Sequence, residues 1–246
     1  MPYITVHLLP EDVVLSSLAT SNVVVIDVIR ATTIICAALS QGVTNVLPLQ
    51  TTEEVIDAKN RGYLAVGDID EEHHDCFDLS KSPRIYSEGN FRGAKVALST
   101  TNGTKTILAM AQAKNLYMGS FLNAQALIVF LGNSIENLII ICAGWKGTYS
   151  MEDSLCAGYI ATELATKYRY IGANETFNWV VNLYAEHHQD MYLAVLNSEH
   201  GERIRSQQLE DDVRFCLQIQ DNQTIPTFQN GLIVDNASVP DSKPIP

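Results

Sequence analysis

Short apolar, β-branched runs along this chain give way repeatedly to a loop of hydroxyls, glycines and charges, and then to a helical pattern. Val23-Val24-Val25-Ile26 leads into Asp27-Val28-Ile29-Arg30-Ala31-Thr32-Thr33, and Lys95-Val96-Ala97-Leu98 into Ser99-Thr100-Thr101-Asn102-Gly103-Thr104. Leu138-Ile139-Ile140-Ile141 leads into Cys142-Ala143-Gly144 and a stretch ending at Ser150-Met151-Glu152-Asp153. Apolar runs without alternation suit strands buried on both faces, as in parallel sheets. The pattern also predicts strands at 3–8, 43–49 and 63–66, a helix from Thr32 through Leu39 ended by Gln41-Gly42, and a helix at 53–60 capped by Thr51 or Thr52. This alternation predicts an α/β fold, with helices layered around a mostly parallel sheet and the active site at the carboxyl ends of strands. Residues distant in sequence should meet there.

Further along, the pattern predicts helices at 152–167, 175–194 and 206–218, and a closing strand at 231–234. Between 67 and 92 it breaks into an acidic loop, Asp68 to Asp75 with His73-His74, followed by Phe77-Asp78-Leu79-Ser80-Lys81-Ser82-Pro83. An irregular segment of that length inside a compact domain is usually functional or flexible. Residues 1–235 read as one α/β domain, with a subdivision near 170 as the alternative. The three prolines and few apolar groups of 236–246 predict a flexible tail.

Composition narrows the class. With 246 residues, 46% of them hydrophobic, the chain can bury a large core. Its start lacks the basic and apolar regions of a signal peptide and no apolar run spans a bilayer, so a cytoplasmic protein without membrane contact is expected. Cys36, Cys76, Cys142, Cys156 and Cys216 are odd in number and include no C-x-x-C pair, which predicts buried thiols rather than disulfides or a structural zinc site. A net charge of −12 without clustered Lys and Arg argues against nucleic acid. An anionic substrate would need a local device.

The loops supply candidates for that device. Ser99 to Thr104 offers hydroxyls, an amide and a glycine at a helix start, where unpaired N–H groups favour an anion. The competing reading is a helix cap and a turn. Neither G-x-x-x-x-G-K-[ST] nor G-x-G-x-x-G occurs, so nucleotide binding has little support. Asp27 is the first polar residue after its strand and Arg30 follows three positions later, a pairing suited to metal and phosphate or to a structural ion pair. Ser150 to Asp153 has capping-box spacing, yet two adjacent carboxylates in the same mouth as Asp27 also form the hard-oxygen setting that Mg²⁺ prefers. An aspartyl nucleophile of the haloacid dehalogenase type would need a second Asp where Ile29 stands. A cysteine phosphatase would need Arg where Thr148 follows Cys142 and Ser82 follows Cys76, and His200-Gly201 lacks the preceding Arg of a histidine acid phosphatase. The adjacent pairs His73-His74 and His187-His188 lack the i, i+4 spacing of a zinc site and read as solvated.

These residues resemble the 2-phosphosulfolactate phosphatase family, magnesium-dependent phosphomonoesterases associated with coenzyme M biosynthesis. Asp27 to Thr33 resembles the family's D-V-L-R-A-[ST]-[ST], Ser99 to Thr104 its S-T-T-N-G-T, and Cys142 to Gly158 its C-A-G-x-x-G-x-x-S-x-E-D-x-x-C-A-G. Weaker similarity continues through Ser198 to Gly201 and Asp212 to Cys216. The middle loop departs: Gly67-Asp68 stands for Gly-Glu, and Leu79-Ser80-Lys81-Ser82-Pro83 for x-G-N-S-P. The resemblance implies an enzyme, a phosphoric monoester hydrolase converting (2R)-2-phospho-3-sulfolactate to 3-sulfolactate and phosphate. It implies Mg²⁺ held by Asp27, Asp68, Glu152 and Asp153, with Asp27, Arg30, Glu152 and Asp153 as catalytic residues. Arg30, Thr32, Thr33, Ser82, Thr100, Thr101, Asn102, Gly103, Thr104 and Gly144 would then bind the substrate. A phosphatase of another small phosphorylated acid and a non-catalytic phosphate-ester binding protein are the alternatives. A homodimer is expected.

Overall fold

A computed structural model describes residues 1–67 and 76–236. Asp68, His73-His74 and the expected tail from 237 onward lie outside the described residues. The amino-terminal half runs β1 (Tyr3–His7), β2 (Asn22–Ile26), α1 (Ala31–Ser40), β3 (Asn45–Leu49), α2 (Thr52–Asn60), β4 (Leu64–Gly67), β5 (Leu79–Ser80), α3 (Arg84–Glu88), β6 (Lys95–Ser99) and α4 (Gly103–Ala109). It continues with β7 (Asn115–Gly119), α5 (Ala124–Gly132), β8 (Leu138–Cys142), α6 (Met151–Tyr168) and β9 (Ile171–Gly172). Four helices follow, α7 (Glu175–His187), α8 (Met191–Leu196), α9 (Glu199–Ser206) and α10 (Glu210–Cys216), and then β10 (Pro226–Gln229) and β11 (Leu232–Asp235).

Among the described residues the strands form one sheet in the order β5-β4-β6-β3-β11-β10-β7-β2-β8-β1-β9. Neighbours within β5-β4-β6-β3 and within β7-β2-β8-β1-β9 are parallel, whereas the β10–β11 hairpin is antiparallel to both its flanks. Strand β2 shows why its run does not alternate. Val24 and Ile26 enter one core with Ile140, Leu127 and Leu155, while Val23 and Val25 enter another with Ile34, Ile35 and Leu98. Both faces are covered, so every position is apolar.

The hairpin wedges between the two parallel sets and reverses their local sense. Its contacts with β7 and β3 each run through one register pair, Thr227 with Tyr117 and Ile233 with Val46. Three successive antiparallel pairings leave the two parallel sets running opposite to one another, yet a loop from each meets the other. Gly103, after β6, lies against Asp27, after β2: a Cβ built on Gly103 would sit 2.4 Å from Asp27 Oδ2.

Several expectations change. The segment from 67 to 92 contains β5 and α3 rather than irregular chain alone. The helix expected at 206–218 is the shorter α10, which starts after Gln208 takes a φ of 54°, and α9 before it has no counterpart in the pattern reading. That expected at 175–194 is two, α7 and α8, because Asp190 caps a new start by accepting from the Leu193 N–H. The β7–α5 unit and β10 have no counterpart in the pattern reading. No helix among the described residues is long and apolar enough to cross a membrane.

Candidate active site

Asp27 leaves β2 at the point where the strand gives way to a tight loop and α1. Its backbone carbonyl accepts from both the N–H and the hydroxyl of Thr32, and its Oδ1 accepts from the Ala31 N–H at 3.2 Å. Thr33 Oγ1 donates to the Val28 carbonyl at 2.7 Å. Thr32 and Thr33 are fully buried, so their hydroxyls brace the loop from behind rather than facing the cleft suggested for them by sequence. Thr104 is likewise buried, and it exchanges hydrogen bonds with Thr100 through both hydroxyls and main chain. Thr100, Thr101 and Asn102 themselves line the cleft.

Glu152 and Asp153 come from the first turn of α6, which Ser150 caps by accepting from the Asp153 N–H. In a reciprocal capping box the acid would reach back to the Ser150 N–H. Asp153 instead reaches across the cleft floor: Oδ1 accepts from Val28 N–H at 2.7 Å and Oδ2 from Gly144 N–H at 3.3 Å. Gly144 has a φ of +67°, and a Cβ there would meet the Thr148 carbonyl at 2.6 Å. Asp153 thus ties the β2 and β8 loops to α6.

Among the described residues three carboxylates share the cleft, and each is at least nine-tenths buried. Burial pushes Asp27 up to about 6, Glu152 adds repulsion, and the Ala31 N–H, Lys81 and His200 pull the other way. Burial first, and then the charges of Asp27 and Glu152, hold Asp153 well above the ordinary carboxylate range. Glu152 Oε1 meets His200 Nδ1 at 2.8 Å, while its buried Oε2 has no hydrogen-bond partner among the described residues. Glu152 also lines the cleft. Among the described residues, no group of three or more His, Cys, Asp or Glu is arranged so as to hold a metal ion by itself. The orphaned oxygen fits Mg²⁺ all the same, because that ion is usually held by one or two carboxylates and keeps waters and substrate phosphate as its other ligands.

Cations ring the carboxylates. Arg30 lines the cleft and is oriented by Asp212 at 2.6 Å, whose other oxygen accepts from Ser82 Oγ at 2.6 Å. Ser82 therefore holds the Arg30 partner. Lys81, only 9% exposed, borders this cleft and a neighbouring one that also contains Thr51, Thr100 and Lys105. Arg203 meets His200 from one turn further along α9, and the Trp145 ring stacks on the imidazole with centroids 4.8 Å apart.

The cleft thus gathers Asp27, Arg30, Glu152, Asp153, Gly144 and Thr100 to Asn102, as the sequence suggests, with Gly103 packed against Asp27. Asp68 lies outside the described residues. Lys81, Trp145, His200, Arg203 and Asp212 also belong to the site, and the sequence does not mark them as site residues. The acids of the 2-phosphosulfolactate-like C-A-G motif gave no hint of His200, since its partner Glu152 is 48 positions away. The Ser198 to Gly201 similarity was the available signal.

The family model for 2-phosphosulpholactate phosphatase matches residues 7–231. A probable 2-phosphosulfolactate phosphatase of Thermotoga petrophila is 34% identical over 214 residues, covering 86% of this chain and 90% of that protein. Proteins of the same description from Symbiobacterium thermophilum and Caldanaerobacter subterraneus subsp. tengcongensis are 33% and 31% identical, each over 86% of this chain and over 92% and 89% of their own lengths.

Proposed function

Since the chain belongs to the 2-phosphosulpholactate phosphatase family, and so to the phosphoric monoester hydrolases, we propose that it hydrolyses (2R)-2-phospho-3-sulfolactate to 3-sulfolactate and phosphate in a magnesium-dependent reaction. The observation carrying the metal reading is the buried trio Asp27, Glu152 and Asp153 with its unpartnered Glu152 Oε2. Carboxylates packed this closely repel one another, and a divalent cation offsets that repulsion while giving an acidic protein a means to hold an anion. Asp27 and Glu152 would hold the ion. Asp153, both of whose oxygens accept backbone N–H groups, would set the loop geometry and lend its charge. Bound Mg²⁺ would supply positive charge to the phosphoryl oxygens and a polarised water.

The protein's own groups account for the rest. Arg30, held by Asp212, would orient the phosphoryl group, and Thr100 to Asn102 at the start of α4 would hold phosphate or sulfonate oxygens. Hydrolysis places a water oxygen on phosphorus as the ester bond breaks, and the departing alkoxide takes a proton to become the 2-hydroxy acid. Incubation of the purified protein with racemic 2-phosphosulfolactate, with Mg²⁺ or with excess EDTA, tests this reading through free phosphate. Release that depends on the metal is expected; no release from this ester would refute the substrate assignment.

Lys81 favours a second reading. It lies in the segment that departs from the family pattern and is buried at the edge of the cleft. A cation there would suit a different phosphorylated acid, and kcat/KM across a panel of phosphorylated 2-hydroxy acids separates the two.

A further inference from the structure

Arg203, His200 and Glu152 form a chain of contacts with a defined direction. Arg203 Nη1 lies 3.3 Å from His200 Nε2, and His200 Nδ1 lies 2.8 Å from Glu152 Oε1. A guanidinium only donates, so Nε2 is the acceptor and the imidazole carries its proton on Nδ1, from which it donates to Glu152. His200 and Glu152 are 3% and 2% exposed, so water does not compete for the bond. Trp145 stacks over the ring at an interplanar angle of 22°, and the Lys146 ammonium lies 4.5 Å from the Trp145 ring centroid. Ring position, ring tilt and proton location are therefore all set by neighbours.

The consequence falls on Glu152. With Oε1 engaged by His200, the carboxylate has one orientation, and in it Oε2 is buried at the cleft without a hydrogen-bond partner among the described residues. We propose that His200 is a positioning residue, held by Arg203 in its Nδ1-protonated tautomer so that it aims Glu152 Oε2 at the divalent cation. This rests on the metal-dependent reading above. Outer partners of this kind typically change metal affinity by about 10–100-fold.

Asn and Gln separate the two ring nitrogens. An Asn amide at 200 can place its N–H near the position of Nδ1, whereas the longer Gln places its amide near Nε2. Calorimetric titration with Mg²⁺ of wild type, His200→Ala, His200→Asn and His200→Gln, with folding checked by circular dichroism, is the first arm. We expect the Mg²⁺ Kd to rise at least about 10-fold in the Ala and Gln variants and to return to within about 3-fold of wild type in the Asn variant, on the scale of outer-partner effects. KM for the phosphate ester at saturating Mg²⁺ should stay near the wild-type value. An unchanged Kd in His200→Ala, or rescue by Gln rather than Asn, would overturn the proposal. The second arm needs no metal: nitrogen NMR of the imidazole in metal-free protein should find the His200 proton on Nδ1, and a ring protonated on Nε2 alone would overturn the relay. Wild type that binds no Mg²⁺ while showing the Nδ1 tautomer would sink the metal reading and with it the proposed role, while leaving the Arg203 to Glu152 relay standing.

Discussion

Asp27 is the residue on which most of the site's electrostatics turns. Its pKa of about 6 in the metal-free protein exceeds the ordinary 3.8, chiefly through burial. Between those values the folded state keeps a proton that the unfolded state has lost, so this group's contribution to stability falls as pH rises from about 4 to about 6 and levels off above. Urea melts in EDTA should show wild type losing stability relative to Asp27→Asn across that window; a constant difference would remove Asp27 as the titrating group. Gly103 tests the same contact sterically. Its substitution by Ala puts a methyl 2.4 Å from both Asp27 Oδ2 and the Ala31 side chain. Activity should drop more than about 10-fold with the fold retained, in keeping with the sensitivity of reaction geometry to small displacements. Wild-type kcat/KM in Gly103→Ala would contradict the packing. Sequence made Asp27 legible because a charge at the end of an apolar strand has few places to go, and Glu152 and Asp153 because two adjacent acids open the helix after another such strand. It did not tell Thr32 and Thr33, which brace the loop, from Thr100 and Thr101, which line the cleft, because composition does not say which way a hydroxyl points.

At the scale of elements, periodicity located β2, α1, β6, β8 and α6, whose faces are buried continuously or with helical spacing. It failed where polar contacts rather than apolar faces set the boundaries. Asp190 divides α7 from α8, and the turn at Gln208 divides α9 from α10. The β10–β11 hairpin was half visible. Asn230-Gly231 is a strong turn signal, and both residues have positive φ, 52° and 83°. The strand before it, Pro226-Thr227-Phe228-Gln229, is too short and too polar to stand out. Gly231→Ala should cost about 1 kcal/mol or more, since Ala resists positive φ. Because the hairpin joins the two parallel sets, chemical denaturation should show the loss as a lower midpoint of the whole transition. A midpoint equal to wild type would indicate that the turn carries no strain.

For the whole molecule, a mostly parallel α/β sheet was readable from the repeated strand, loop and helix pattern, but its division into two sets was not. The insertion of β10 and β11 between β3 and β7 depends on pairing across more than 100 residues, which no local pattern records. That insertion matters to the site. It joins the set that carries the β6 loop to the set that carries the β2 and β8 loops, and α6 and α9 bring Glu152 and His200 to the place where these loops meet. A protein of net charge −12 can thus gather Arg30, Lys81 and Arg203 around three buried acids. The central claim is that this gathered cleft is where the phosphate ester is cleaved, and phosphate release by wild type and Asp27→Asn, each with Mg²⁺ and 2-phosphosulfolactate at pH 7.5, tests it most directly. Turnover by wild type and a fall of at least about 1,000-fold in the folded variant, equivalent to about 4 kcal/mol of lost transition-state stabilisation, is the predicted result. Equal rates in the two proteins would contradict it.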